Sequence, residues 1–404
     1  MIELRPATSD EMAAIGTLGG YVYGGAFGDG PDSITASANR AEWTLCAFDG
    51  LRLASSFITI PFTMRLNGKA MAMGGVSGVA THPEYRRRGL MRRLMTQATL
   101  DMRERGQTVA ALWASQASIY QRFGYAIGSV SRRYAVDSID ITFFDGDTGS
   151  STVEWLDVEA GFDAVRALYI AFIAQRTGYL HRSRALWASG AFEERPEDGP
   201  VHIALSRDGD GEPNGYLVYT LRADRVAHRA RGQELVIRDF GWLTLDAYRS
   251  LWSYVARHDL VGRVVWATAP ADDPAEELFS EPRMLHCEYG EGAWFRVIDV
   301  EAALGARGYS QAGQVTLRLP EDDLAPWNAG TYTIETDGEE TTVARSTTEP
   351  DAVLPVKAMA SLFSGYRSAR RLRSWGLLAA DDRAVDRLDS LFATRHLSHF
   401  PDRF

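Results

Sequence analysis

Residues 76–96 read VSGVATHPEYRRRGLMRRLMT. An apolar stretch up to Ala80 predicts the end of a strand, and Thr81-His82-Pro83-Glu84-Tyr85 predicts a turn. Beyond it Leu90, Leu94, Ala98 and Met102 recur at spacing four, joined by Met91 and Met95. That is the pattern of an amphipathic helix, here ending near Gly106. Between turn and helix stand Arg86, Arg87, Arg88 and Gly89. The first amides of a helix have no intrahelical partner and point at whatever precedes them, and the helix dipole favours negative charge there. Gly89 lets a bulky anion approach the main chain, and the arginines add fixed charge and bidentate donors. The segment suits a pyrophosphate. It is neither a nucleotide P-loop nor a dinucleotide fingerprint, since GxxxxGK[ST] and GxGxxG are both missing from it.

Upstream, Ile2 to Arg5 predicts a strand, and Thr8 with Glu11 has the spacing of a capping box for a helix running toward Leu18. Tyr21 to Asn39 is rich in Gly, Ser, Ala and Asp. Trp43 to Phe48 reads as a strand turned by Asp49-Gly50. Leu51 to Leu66 returns with a break at Pro61, and Asn67-Gly68 is a hairpin signal leading into Lys69 to Ala80. The result is an antiparallel meander. Downstream come a buried strand, Thr108 to Trp113, a short helix, Ala117 to Arg122, and a last strand from Phe123-Gly124-Tyr125 through Arg133 to Ile141. Strand, turn, helix and strand then recur near 234–267, with Gly241-Trp242-Leu243 in place of the arginine turn. We read a degenerate internal duplication. The last part of the chain differs again: a strand over Ala293 to Val300, a hairpin around Asp337-Gly338, and helices over Val356 to Ser364 and Arg383 to Ala393.

The 404 residues, 45% hydrophobic and 24% charged, make an ordinary globular mixture. At roughly 150 residues per domain they suggest two or three domains. Acids number 53 against 43 Lys+Arg, a formal net charge of −10. That speaks against a general nucleic-acid binder and favours cationic substrates through the long-range field. Cys46 and Cys287, the two cysteines, make neither a disulfide framework nor a zinc site. No apolar run approaches a membrane span of roughly 18 residues, and the first residues lack the apolar core of a signal peptide, so the expected compartment is the cytoplasm.

The Arg86 to Gly89 turn resembles the acyl-CoA pyrophosphate loop of the GNAT acyltransferases, Arg/Gln-x-x-Gly-x-Gly/Ala; Arg86 and Gly89 fit it, and Met91 departs at the last position. Together with LWASQASIYQRFGYAI at residues 112–127, the three-part layout and Phe404 at the end of the sequence, the chain is similar to the Eis (enhanced intracellular survival) family of N-acetyltransferases. The resemblance implies an α/β fold of mixed sheets, with tandem GNAT-like domains followed by a sterol-carrier-protein-like domain. On the spacing here these would span 1–140, 141–290 and 291–404. It also implies acetyl-CoA as co-substrate, no metal, a homohexamer, and a second domain walling the acceptor cleft.

By the same resemblance, main-chain groups of Val79, Ala80 and Thr81 would hold the pantetheine arm. Arg87, Arg88, Gly89, Leu90, Met91 and Arg92 would hold the phosphates, and Ser115 and Gln116 would touch the acyl end. Tyr120 would be the general acid and the carboxylate of Phe404 the general base. The amide of Val79 would serve the oxyanion. A phenol of ordinary pKa about 10 protonates a thiolate whose acid has pKa about 8.5 only if positioned or tuned. An apolar last residue can anchor a terminus in a core, where desolvation raises a carboxylate toward the working range.

Tyr125 is expected to be core, and His82 and Glu84 to be turn residues. Asp29, Asp32 and Glu42 are candidates for an acidic acceptor cleft. Arg403, beside the terminus, weighs against polycationic aminoglycosides. Trp327, Phe363, Tyr366, Trp375 and Phe392 read first as core aromatics, and the Arg367–Arg373 run as a solvated or subunit-contacting helix face. The expected activity is acetyl transfer to an amine of a cationic acceptor (aminoglycoside-like, polyamine or lysine side chain). The alternatives are a GNAT acyltransferase for peptides or proteins, and a non-catalytic acyl-CoA or lipid-binding assembly protein.

Overall fold

The computed structural model describes residues 2–25, 39–223, 225–228 and 230–404. They fall into two compact units. One takes Met1–Ser129, Arg176–His181 and Gly292–Phe404; the other takes Val130–Gln175 and Arg182–Glu291.

The first unit opens with β1 (Ile2–Pro6), a 3-10 turn over Ser9–Glu11 and α1 (Met12–Tyr23). The capping box forms, with the Glu11 carboxylate accepting from the Thr8 amide at 2.9 Å. The helix outruns Leu18 and stops only at Gly24, whose φ of +75° and N–H to the Gly20 carbonyl close it. The meander follows as β2 (Thr44–Asp49), β3 (Arg52–Leu66) and β4 (Lys69–Thr81), turned at Asn67 and Gly68 with φ of +48° and +89°.

Pro61 does not break β3. Pairing with β2 stops at Ile58, so at Pro61 that edge has no ladder bond with β2 to lose. Farther along, residues 177–181 pair with the same edge, Met64 bridging Leu180. Next come α2 (Leu90–Glu104), β5 (Val109–Leu112), α3 (Ala117–Tyr120) and β6 (Ala126–Ile127). α2 buries Leu90, Leu94, Met95, Ala98, Thr99 and Met102. Gly74 makes room for it, since a Cβ there would lie 2.4 Å from the Met102 sulfur.

The single strand expected from Phe123 to Ile141 is two strands in two sheets. β6 belongs to the first sheet, and β7 (Val130–Asp137) to the second unit. The chain changes sheet at Gly128, where a side chain would lie 2.2 Å from the Phe295 ring. The second unit continues with β8 (Thr152–Leu156), α4 (Val158–Ile173), α5 (Arg184–Ser189), β9 (Val201–Arg207), β10 (Pro213–Arg222), β11 (Gln233–Trp242), α6 (Leu245–Ala256), β12 (Val261–Ala269), α7 (Ala275–Leu278) and β13 (Glu288–Glu291). Its order is β13-β7-β12-β11-β10-β9-β8. β11 and β12 are parallel and joined by α6, as β4 and β5 are by α2, so the repeat seen in the sequence is a structural one.

β14 (Trp294–Val297) overturns the expectation that it opens the C-terminal domain. It pairs antiparallel with β5 and β6 and completes the order β1-β2-β3-β4-β5-β14-β6. All four residues are buried, so the strand needs partners on both sides and both faces. The rest is α8 (Val300–Ala306), a sheet of β15 (Gly313–Leu319), β16 (Gly330–Thr336), β17 (Thr341–Arg345), β18 (Ala352–Val353) and β19 (Ala379–Ala380), with α9 (Val356–Phe363), α10 (Ala369–Ser374) and α11 (Asp382–Phe392).

Arg307, fully buried, donates to the carbonyls of Phe363 at 2.9 Å and Phe392 at 2.6 Å, so its charge sits at the C-terminal ends of α9 and α11. Phe363 and Phe392 are core, as expected, but Trp375 is 53% exposed and Tyr366 only half-buried. In the arginine run Arg373 pairs with Asp382 at 2.6 Å and Arg370 with Asp386, while Arg367 and Arg371 lie over the Trp375 ring.

Candidate active site

β4 and β5 pair over three positions only, Met73 with Val109, Gly74 with Ala110 and Gly75 with Ala111. β4 then runs on to Thr81 while β5 ends at Leu112, so beyond Gly75 the sheet forks. A bulge between Ser56 and Ile58 of β3 lies opposite the same stretch of β4. Gly78, at φ +53°, occupies the bend, and a Cβ there would lie 2.4 Å from Ile58. The buried hydroxyls of Ser56 and Ser55 donate to the carbonyls of Gly78 at 2.8 Å and Ala80 at 2.7 Å. The Val79 carbonyl accepts from the Tyr23 hydroxyl at 2.8 Å. Gly78 and Ala80 are thus held from β3, and Val79, alternating with them, from the end of α1.

At the tip of β4 the His82 amide donates to the Ala54 carbonyl at 2.9 Å, and Pro83–Tyr85 form a 3-10 turn. Tyr85 is buried, its hydroxyl donating to Asp49 at 3.2 Å. Arg86 is extended, Arg87 is left-handed at φ +62°, and Gly89, left-handed at φ +75°, is the N-cap of α2. Only glycine adopts that geometry cheaply; an arginine there stores strain. Gly89 has no side chain to cap the helix, so the first amides, from Leu90, Met91 and Arg92 on, are left to an incoming anion. Arg86, Arg87 and Arg88 are exposed. Arg92 lies 5.5 Å over the Phe123 ring. Glu84 is spoken for: Arg52 holds it at 2.7 Å and lowers its pKa. The His82 ring stacks on Tyr21 at 5.6 Å.

Ser115 and Gln116 follow β5, both exposed, Gln116 at the N-cap of α3. Tyr120, at the end of α3, is 4% exposed. Burial raises its pKa, and a hydrogen bond with Ser115 tempers the rise. It packs at 6.0 Å on Tyr125, a core residue as expected. Tyr23 is 42% exposed, but desolvation of its hydroxyl end against Val79, with the neighbouring Tyr120 phenol, pushes it up to about 12. Tyr23 thus reaches the β4 arm of the fork through Val79, while Ser115 and Tyr120 follow the β5 arm.

The C-terminal segment comes to the same place. Phe400 packs against Trp113 at 6.2 Å, Phe295 at 5.8 Å and Phe404 at 6.0 Å. Phe404 packs on Phe62 at 4.9 Å. Tyr120 belongs to the cluster under α2, with Val76 and Leu94. Phe404 packs against the cluster of Ile15, Cys46, Ile58 and Ile60, on the other face of the sheet. The Arg403 guanidinium stacks 4.3 Å over the Trp113 ring.

Glu42 does not join this site. It lies near Arg105 at the far end of α2, about 24 Å along the helix from Gly89. Asp29 and Asp32 lie outside the described residues. No cluster that could ligate a metal occurs among the described residues, and none of their helices is long and apolar enough to cross a membrane. Tyr23, Trp113 and the two serines were not singled out in the sequence. No local pattern marks them, because each acts across a sheet or from a helix end.

Comparison with known proteins fits this geometry. An acetyltransferase (GNAT) domain family matches residues 3–128, a second matches 178–297, and a sterol carrier protein domain matches 300–401. The chain is an acetyltransferase of GNAT type. More narrowly, it is a homologue of the Eis N-acetyltransferases. It is 28% identical to N-acetyltransferase Eis of Mycobacterium tuberculosis over 386 residues, 90% of each chain. It is 28% identical to an N-acetyltransferase of Streptomyces coelicolor over 311 residues, 75% of this chain and 74% of that one. The crystal structure of Eis1 from Mycobacterium abscessus superposes with a TM-score of 0.84 at 25% identity, over the whole of both chains.

Proposed function

We propose that the protein transfers an acetyl group from acetyl-CoA directly to an amine of a cationic acceptor. The observation that carries this is the fork between β4 and β5, with Tyr120 buried on one face and Phe404 packed on the other. Backbone groups of Val79, Ala80 and Thr81 line one arm and suit an extended pantetheine. The turn from Arg87 to Gly89, with the first amides of α2 at Leu90, Met91 and Arg92, suits the phosphates. Ser115 and Gln116 stand at the acyl end.

The amine nitrogen attacks the thioester carbon, and the Phe404 carboxylate takes the proton it sheds. The Val79 amide donates to the oxyanion. The carbon–sulfur bond then breaks, and Tyr120 protonates the departing thiolate. Arg403, drawn onto Trp113, leaves the carboxylate less directly opposed by positive charge. The net charge of −10 favours a cationic acceptor. This reading carries with it a cytoplasmic location and a homohexamer.

Release of free CoA thiol, read against polyamines, aminoglycosides and lysine peptides, tests it. Turnover with a cationic amine is expected. CoA binding by calorimetry with no thiol release for any amine would favour a non-catalytic acyl-CoA binder instead.

A further inference from the structure

Gly75 is the last residue of β4 paired to β5, at the vertex of the fork. It stands opposite Ile60 in the ladder with β3, so its missing side chain would project on the face that carries Ile60, Phe62 and Phe404. A Cβ built there would lie 2.4 and 2.7 Å from two atoms of the Phe62 ring and 2.9 Å from the Phe404 ring. Its backbone needs no glycine, since Gly75 is not among the residues of positive φ. What requires glycine is space, and the space is filled by two rings packed at a 45° tilt, one of them on the terminal residue.

We propose that Gly75 and Phe62 form the seat of the terminal residue, and that Gly75 is a positioning residue for the Phe404 carboxylate. The inference rests on the reading of that carboxylate as the base. A methyl group at 75 is about 1.5 Å long, and close-packed rings yield by tenths of an ångström before contacts are lost. Phe62 has to move first, and Phe404, packed 4.9 Å from it, moves with it. A displacement of about 1 Å in a catalytic group costs on the order of 100-fold in rate, while the phosphate turn at the other end of β4 is left alone.

The test is Gly75→Ala, measured by steady-state kinetics, by its pH profile and by the release of Phe404 from the folded protein by carboxypeptidase A. We expect kcat to fall tenfold or more with the KM for acetyl-CoA within twofold. The profile should shift to higher pH, because an acceptor without a base must lose its proton unaided. Phe404 should be released at least tenfold faster than from the unsubstituted chain. Should Gly75→Ala fail to fold, Phe62→Leu removes the ring that supports Phe404 without crowding the backbone, and the same signature is expected.

Turnover within twofold of the unsubstituted chain, or lost turnover with Phe404 still protected, overturns the seat. A chain extended by Gly-Ser-Gly after Phe404 separates the two ideas. If the extended chain keeps full kcat, the carboxylate reading fails and the positioning role fails with it. If extension abolishes turnover while Gly75→Ala does not reduce it, only the seat is wrong.

Discussion

The indole N–H of Trp113 donates to the main-chain carbonyl of Asp402 at 3.0 Å, tying the residue just past β5 to the C-terminal segment. The same ring carries the Arg403 guanidinium on its face and meets Phe400 edge-on. Trp113→Phe keeps an aromatic ring and removes the donor. A net hydrogen bond is worth about 1 kcal/mol, so we expect kcat to fall about fivefold, with little change in the KM for acetyl-CoA, measured by thiol release.

Tyr120→Phe should lower kcat by about 100- to 1,000-fold, the range for loss of a positioned general acid, with CoA binding by calorimetry unchanged. Because burial raises the Tyr120 pKa, the phenol keeps its proton to a higher pH than a free tyrosine. The rate of the unsubstituted protein should therefore show no alkaline decline from this group at or below the ordinary phenol pKa of about 10.

Arg87 separates stability from binding. Its left-handed backbone costs about 1 kcal/mol in a residue with a side chain. Arg87→Gly relieves that strain and deletes one charge from the turn. We expect a Tm within about 2 °C of the unsubstituted protein or above it, with CoA affinity weakened about fivefold at low salt and less at high salt.

The start of α1 should be acid-sensitive. The Arg5 side chain and the Thr8 amide hold Glu11 down at about 2. An acid whose folded pKa is depressed stabilises the fold fully above its unfolded value, about 4.3, and loses that contribution as pH falls toward the folded one. Glu11→Gln should lower Tm at pH 6, and the two Tm curves should converge as the pH approaches 2.

Asp273 should behave with the opposite sign. It is buried under the hydroxyls of Tyr134 and Tyr248, both 3.0 Å away, and burial pushes it up to about 6. A raised acid binds its proton more tightly when folded. Its contribution to stability is therefore largest below about pH 4, declines as pH rises to about 6 and is flat above. Asp273→Asn should remove that slope from a plot of Tm against pH.

Much of the architecture was legible in local pattern. The period of Leu90, Leu94 and Ala98, the Asn67-Gly68 turn and the Thr8/Glu11 box each act within a few residues, and each formed. What misled was sequence adjacency. β6 and β7 are separated by two residues and lie in different sheets, while β14 crosses back from beyond residue 290 to stand between β5 and β6. A buried four-residue strand such as Trp294–Val297 carries no signal of its partner, because backbone hydrogen bonds are the same for every sequence. Pro61 misled for a related reason. Whether a proline breaks a strand depends on whether the neighbour it faces is still there.

By itself the sequence determined the turn that we propose for the phosphates, since Arg86 to Gly89 before an apolar helix is a local arrangement of charge and free amides. It also named Tyr120 and Phe404 through a resemblance, without saying where either lies. Only the tertiary structure decided that β4 and β5 part at Gly75, that the two residues pack on opposite faces of that fork, and that Tyr23 and Trp113 attend it. Those relationships join positions separated by tens to hundreds of residues. They are set by close packing and by which hydrogen-bonding groups remain unpaired once the sheets have formed, and neither quantity exists until the chain is folded.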